Sequence, residues 1–250
     1  MLVPVKGDFP KVTLTAPDGR GYLLLALTVD RRPPFLYPLA SRAKRQATDC
    51  LRRLAAILRA CSDVEEANLF TAVLRPPGRG KYLARLNQRP AAHDLVLLAA
   101  FRNEEAASAF AGTPEWTQAL ARTVPLAQDH LAGTYSNIRH IAPVPHDKGG
   151  IFLFNWFAAA DTGQNLAVWE HTAGWFQDQT GLDNSTVLLP SQPDPQAPTI
   201  VNHCRWDGLT DILPALVLKP SFRSFVLAGF AANRTAAQPV LYRMIDPITA

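Results

Sequence analysis

The chain has few of the residues that mark disulfide-bonded, metal-binding or membrane proteins. Its 250 residues include three cysteines, at positions 50, 61 and 204, and no CxxC motif. This argues against a disulfide scaffold and a zinc site. No apolar run is long enough to span a membrane, and the opening MLVPVKGDFPKV lacks the apolar core of a signal peptide. The sequence predicts a soluble cytoplasmic protein without a membrane partner.

Charge is also sparse. Charged residues make up 18% of the chain, against 48% hydrophobic residues, and the net charge is only +4. This is the composition of a globular protein with a large core and not that of a nucleic-acid binder. The sequence contains no P-loop, Rossmann, GxSxG or HExxH motif. It therefore predicts no cofactor and no metal.

What the sequence does contain is one order of elements, found twice. Strands are predicted at 21–30, 67–75, 93–102 and 133–142, with a helix from the N-cap Ser41 to Cys61 and a proline-broken helical stretch before the fourth strand. The order restarts after a Pro- and Gly-rich segment. Strands follow at 150–160, 185–190, 199–206 and 239–246, with a helix from Asp161 or Thr162 to Gly181 and broken helices between the last two strands.

Both halves thus have the order βαββαβ, and each carries Pro-x-aromatic in its second helical segment, as TPEW (113–116) and KPSF (219–222). We expect internal duplication, with repeats at 1–142 and 150–250 and a linker at 143–149. The fold class is α+β, with tandem ferredoxin-like units. This arrangement resembles the dimeric α+β barrel superfamily, which includes the antibiotic-biosynthesis monooxygenase-like proteins, and the resemblance covers about residues 20–246. It implies an intramolecular barrel.

Alternation along each strand separates the side chains into two sets. Helices need an apolar partner, so Phe152, Phe154 and Trp156, with Val240, Tyr242 and Met244, should face them. The opposite set should line the barrel interior, where the first half's strands offer little polar chemistry. This predicted site contains Asn155, His203, Arg205 and Arg243 among Leu153, Phe157, Val201 and Leu241. Asn202 falls on the helix face, and a bulge there would reverse the faces.

Each polar residue has a functional and a structural interpretation. His203 is either a general base or a hydrogen-bonded core histidine. Asn155 either anchors a substrate carbonyl or bonds to His203. Arg205 and Arg243 either bind an anion or pair with Asp207, Asp211 or Asp246 at the barrel rim.

The resemblance implies a cofactor-independent monooxygenase-like enzyme acting on a small aromatic or carbonyl compound. The alternatives are a non-catalytic small-molecule-binding or structural barrel, and a haem-binding barrel in which His140, His171 or His203 is the axial ligand. The expected partner is a small-molecule ligand, without nucleic acid, and a homo-oligomer is a further alternative.

Overall fold

A computed structural model describes residues 2, 3, 5, 7–30, 39–76, 78 and 82–246. The parts of the predicted repeats at 31–38 and 247–250 lie outside the described residues. The first half comprises β1 (Gly21–Thr28), α1 (Arg42–Arg59), β2 (Val64–Leu74), β3 (Leu95–Phe101), α2 (Glu104–Ala111), α3 (Pro114–Thr123) and β4 (Asp129–His140). The second half comprises β5 (Ile151–Ala158), α4 (Thr162–Thr180), β6 (Thr186–Pro190), β7 (Ile200–Trp206), α5 (Leu209–Leu218), a π-helical segment (Phe222–Leu227), α6 (Ala228–Ala232) and β8 (Ala236–Asp246).

Local signals set the ends of the helices. The side chain of Ser41 accepts a hydrogen bond from the Lys44 amide at 3.0 Å, and that of Asp161 accepts one from the Gln164 amide at 2.7 Å. Each bond satisfies one of the free amides in the first turn. Gly181 ends α4 with φ of 67°, a left-handed conformation that glycine adopts without strain. These three predicted helix ends are confirmed.

The eight strands form one closed barrel in the order β1-β3-β2-β8-β5-β7-β6-β4. Each half contributes four consecutive strands, β4-β1-β3-β2 and β8-β5-β7-β6, so the same topology occurs twice. The halves join at two antiparallel seams, β2 with β8 and β4 with β6. The predicted α+β fold with an intramolecular barrel is confirmed. No single helix among the described residues could cross a membrane; by length and composition alone, only the bent pair Leu209–Leu218 and Phe222–Ala232 could.

Large side chains from both halves fill the barrel interior. Phe70 on β2 contacts Phe152 and Phe154 on β5, with ring centroids 5.1 and 5.3 Å apart, and Phe154 contacts Tyr242 at 5.3 Å. An eight-stranded barrel is just wide enough to be filled in this way. Val144 of the linker joins the same cluster, so the linker packs into the barrel end where β5 begins.

The predicted faces of β5 and β8 are wrong. Phe152, Phe154, Trp156, Val240 and Tyr242 lie inside the barrel, and Leu153, Phe157 and Leu241 belong to the core beneath the second-half helices, on the face that Asn155 shares. The reason is that the closed barrel buries both faces of each strand, so an apolar set of side chains does not by itself identify the helix side. For β7 the prediction agrees, since Val201 belongs to the interior cluster and His203 contacts Phe70 there.

Candidate functional site

The predicted site residues divide between two places. His203, Val201 and Arg205 share the inner face of β7, whereas Asn155, Leu153, Phe157 and Leu241 lie on the outer face beneath the helices. Because the sheet separates them, His203 and Asn155 do not contact the same space. Asn202, on the outer face as predicted, accepts a hydrogen bond from the Ser185 hydroxyl at 2.6 Å.

Both arginines lie at the barrel end near the linker. Arg205 is buried, donates from Nε to the Gly149 carbonyl at 2.8 Å, and pairs with Asp207 at 2.8 Å. Of the two interpretations of Arg205, this arrangement matches the structural one, in which the arginine pairs with an aspartate at the barrel rim. Arg243 is exposed and borders an open groove with Gly149 and Asp207. It forms no ion pair with another described residue.

Inside the barrel, His203 belongs to a chain of hydrogen bonds that connects the two halves through the linker. Glu66 Oε2 lies 2.8 Å from His146 Nδ1, His146 Nε2 lies 2.9 Å from His203 Nε2, and His203 Nδ1 lies 3.0 Å from the Leu153 carbonyl oxygen. The two imidazole planes differ by only 11° and their centroids are 5.1 Å apart. With the two Nε2 atoms this close, the rings meet edge to edge and are not stacked.

The direction of these hydrogen bonds fixes the protonation of His203. A carbonyl oxygen only accepts, so His203 Nδ1 carries a proton, and its Nε2 accepts from His146 Nε2–H. Burial, and then the neighbouring His146, hold the pKa of His203 well below its usual value. Burial acts to raise the pKa of Glu66. The hydrogen bond and the electrostatic attraction between Glu66 and His146 outweigh burial, so the pKa of Glu66 is lowered. His203 is therefore a neutral, hydrogen-bonded core histidine.

Sequence reasoning missed His146 and Glu66. His146 lies in the linker, where no periodicity indicates which side chains turn inward, and its partners are 57 and 80 residues away in the chain. Glu66 shares the alternating face of Phe70 on β2. That pattern could have placed Glu66 inside the barrel, but only once the direction of Phe70 was known.

The cavity next to Asn155 lies on the outer face, between the second-half sheet and its helices. It has two parts that share lining residues. The amide pocket has a cavity volume of about 20 Å³ and is lined by Phe157, Trp169, Phe176, Asn202, Cys204 and Trp206. The apolar pocket has a cavity volume of about 40 Å³ and is lined by Ile212, Leu216, Phe222, Leu227, Pro239 and Leu241. Leu153, Asn155, Phe176 and Phe230 line both parts.

Asn155 is the unusual residue of this cavity. It is 8% exposed, on a strand between β8 and β7, and its Oδ1 is buried without a hydrogen-bond partner. Among the described residues, none forms a hydrogen bond with either end of its amide. An unpaired buried polar group typically costs about 1–3 kcal/mol. The wall of the cavity thus presents one free amide among aromatic side chains.

The other polar groups near it are already engaged or do not ionise near neutral pH. Thr172 donates to the Val168 carbonyl at 2.9 Å, and Ser185 donates to Asn202. Burial raises the pKa of the Cys204 thiol, which keeps it protonated. The residues that line the two pockets include no Asp, Glu, His, Lys or Arg. The cavity can therefore orient a ligand through an amide, but it supplies no acid or base of its own.

Comparisons with known proteins support the fold. No family model and no curated protein matches the chain. Among solved structures, the chain is similar to an anthrone oxidase-like protein with 10% identity and a TM-score of 0.61, covering 91% of this chain and 92% of that chain. It is also similar to a haem-binding protein from Thermus thermophilus, with 10% identity, a TM-score of 0.46 and coverage of 96% of both chains. The chain has the dimeric α+β barrel fold, with both of its βαββαβ units in one polypeptide.

Proposed function

We propose that this chain binds a small aromatic compound carrying a hydroxyl or carbonyl group in the cavity on the outer face of its second half. The observation that carries this proposal is the unpaired, buried amide of Asn155. An amide both donates and accepts, so it can bond either a phenol hydroxyl or a ketone oxygen. The ligand would supply the hydrogen bond that the described protein residues do not. It would also displace side chains that line the amide pocket, whose cavity volume of about 20 Å³ admits only about one water.

The walls favour an aromatic ligand. Phe157, Trp169, Phe176, Trp206 and Phe230 surround the amide pocket, and aromatic rings pack well against other rings in offset or edge-to-face contacts. A mostly apolar cavity with one placed polar group is the usual form of a small-molecule site. A charged ligand is disfavoured, because the lining residues offer no opposite charge.

The finer proposal is that the bound compound is oxidised by molecular oxygen without a cofactor. An anthrone is the model substrate: its methylene carbon loses two hydrogens and becomes a carbonyl. One atom of O₂ becomes the carbonyl oxygen, and the other leaves as water, which carries two hydrogens. Asn155 would donate from Nδ2 to the oxygen of the enolate that forms when the methylene loses its proton. Since the cavity wall holds no base, the proton would leave to solvent, which restricts this chemistry to acidic C–H groups.

Haem does not fit this cavity, because no described histidine lines either pocket to serve as its axial ligand. His203 is enclosed by Phe70 and Phe154, His140 Nδ1 bonds Thr15 Oγ1 at 3.2 Å, and His171 packs against Phe225 with centroids 4.5 Å apart.

The test uses calorimetry to measure how tightly anthrone and 1-naphthol bind to the wild-type chain and to Asn155→Leu. The matched control is Asn137→Leu. Asn137 is 7% exposed and also unpaired. Its strand partner Leu188 lies in the interior cluster, so Asn137 faces the barrel interior and not the cavity. We expect at least tenfold weaker binding in Asn155→Leu and unchanged binding in Asn137→Leu. Equal binding by all three proteins would overturn the proposal.

Oxygen uptake with anthrone separates the binding proposal from the oxidation proposal. Uptake that depends on the protein and is lost in Asn155→Leu supports oxidation. Binding without uptake overturns the oxidation step and leaves a ligand-binding barrel. Asn155→Leu should also unfold at a denaturant concentration no lower than wild type, because it removes an unpaired buried amide. Loss of binding would then not reflect loss of the fold.

A further inference from the structure

The apolar pocket extends the space around Asn155 in one direction. It shares Asn155, Leu153, Phe176 and Phe230 with the amide pocket, and its remaining lining is almost entirely hydrocarbon. A ring held at Asn155 in the amide pocket would therefore have an apolar extension beside it. Groups that fill such an extension gain affinity from burial alone, without directed bonds.

One wall of this pocket is α5. Ile212 and Leu216 line the pocket from one side of the helix, while Val217 and Leu218 on the other side are 63% and 75% exposed. Pro214 lies inside this helix of ten residues and cannot donate a backbone hydrogen bond. The π-helical segment Phe222–Leu227 follows, and its two end residues also line the pocket.

Both ends of α5 are attached to the body of the protein. The first end follows β7 directly, since β7 ends at Trp206 and α5 begins at Leu209, and the Gly208 amide donates a capping hydrogen bond to Asp211 Oδ2 at 2.8 Å. At the other, Lys219 Nζ donates to the Gln179 carbonyl at 3.1 Å, and Trp175 Nε1 donates to Ser221 Oγ at 3.0 Å. A helix that is held at its ends and weakened in the middle can bow outward without detaching.

The pocket is small in this arrangement. Its cavity volume is about 40 Å³, which is enough for only one to a few waters. A ligand with several carbon atoms beyond its ring must therefore displace Leu216 and the middle of α5. The exposed apolar side chains at 217 and 218 place a hydrophobic surface on the outer side of α5.

We propose that the apolar pocket receives an alkyl or acyl side chain of the aromatic ligand, and that α5 is the movable cover over it. The ligand class is then an alkyl- or acyl-substituted phenol or aryl ketone, with its oxygen at Asn155 and its chain beneath Leu216. This inference rests on the proposed function, because the ring must first bind beside Asn155.

The experiment measures dissociation constants for phenol, 4-butylphenol and 4-octylphenol by calorimetry. Each methylene buried should tighten binding by about fourfold, so the butyl compound should bind far more tightly than phenol. Leu216→Trp fills the pocket and should abolish this gain while phenol still binds. The matched control is Val217→Trp, on the exposed side of the same helix, which should keep the gain. If Leu216→Trp does not fold, Leu241→Phe fills the same pocket from the sheet.

The outcomes separate the two proposals. Binding of phenol without any dependence on chain length overturns the apolar subsite and leaves the proposed function intact. A chain-length gain that persists in both pocket-filling variants also overturns it, because the chain then binds elsewhere. Failure of all three phenols to bind overturns the proposed function and, with it, this inference.

Discussion

Acid should destabilise this barrel through two buried histidines. His203 and His93 are 1% and 2% exposed. Burial, and secondarily His146, lower the pKa of His203 well below its usual value, and burial, with Arg89 and His130, lowers the pKa of His93 to about 3. In the unfolded chain both would titrate near pH 6.5. The unfolded chain therefore binds more protons as the pH falls, and stability is lost below about pH 6.5.

The magnitude follows from the width of the pH window. From pH 6.5 to 5.0, each histidine that stays neutral in the fold removes about 2 kcal/mol, at roughly 1.36 kcal/mol per pH unit. Two such groups remove about 4 kcal/mol, a large part of the 5–15 kcal/mol of a typical domain. His203 cannot take a second proton without setting its own N–H against that of His146, 2.9 Å away.

The assay is urea unfolding followed by tryptophan fluorescence between pH 7.5 and 5.0. His203→Gln can still donate to the Leu153 carbonyl and accept from His146, but it does not titrate. We expect its stability to fall by about 2 kcal/mol less than that of the wild type over this range. The exposed His130→Gln is the matched control and should follow the wild type. Identical losses in His203→Gln and wild type would refute a neutral His203.

Three other changes test the packing of the fold. Lys44→Met should destabilise the chain by about 3–5 kcal/mol, since it leaves the buried Asp94 without the ammonium 3.1 Å away; urea unfolding should show the loss, and adding Asp94→Asn should recover part of it. Gly174→Ala should release the N-terminal segment, because its Cβ would overlap the Pro10 carbonyl oxygen; faster proteolysis near residue 10 is the readout. Ser41→Ala should cost about 1 kcal/mol by removing the α1 cap, and an unchanged unfolding midpoint would contradict the role of that cap.

The order of elements and the helix ends could be predicted because short-range rules determine them. Asp161 and Gly181 mark the two ends of α4 through bonds and backbone angles within a few residues. The two βαββαβ orders then imply a barrel. None of this requires knowledge of which distant residues meet.

The direction of each strand face could not be predicted, because it depends on the other half of the chain. Alternation separates Phe152 and Phe154 from Leu153 and Asn155, but both sets are buried. Phe70, which meets Phe152 and Phe154 inside the barrel, lies about eighty residues earlier in the chain. Both faces are apolar, so hydrophobicity gives no direction. The same limit hid His146, whose partners are also distant.

The two halves use the same strand position for different purposes. Leu25 is the fifth residue of β1 and Asn155 is the fifth residue of β5, and these strands begin the two topologically equivalent units. In the first half Leu23, Leu25 and Leu27 lie in the core beneath the helices and are at most 1% exposed. In the second half the corresponding residues are Leu153, Asn155 and Phe157, which line the cavity.

A residue that opposes the packing of its surroundings is a marker of function, because natural sequences are otherwise locally consistent. Asn155 is such a residue, since the equivalent Leu25 shows that a leucine suits this position of the unit. The first half therefore contributes packing alone at this position, and the second half gives up stability for a free amide. That asymmetry is the reason to search for the ligand beneath α4 and α5, and not inside the barrel that the two halves enclose.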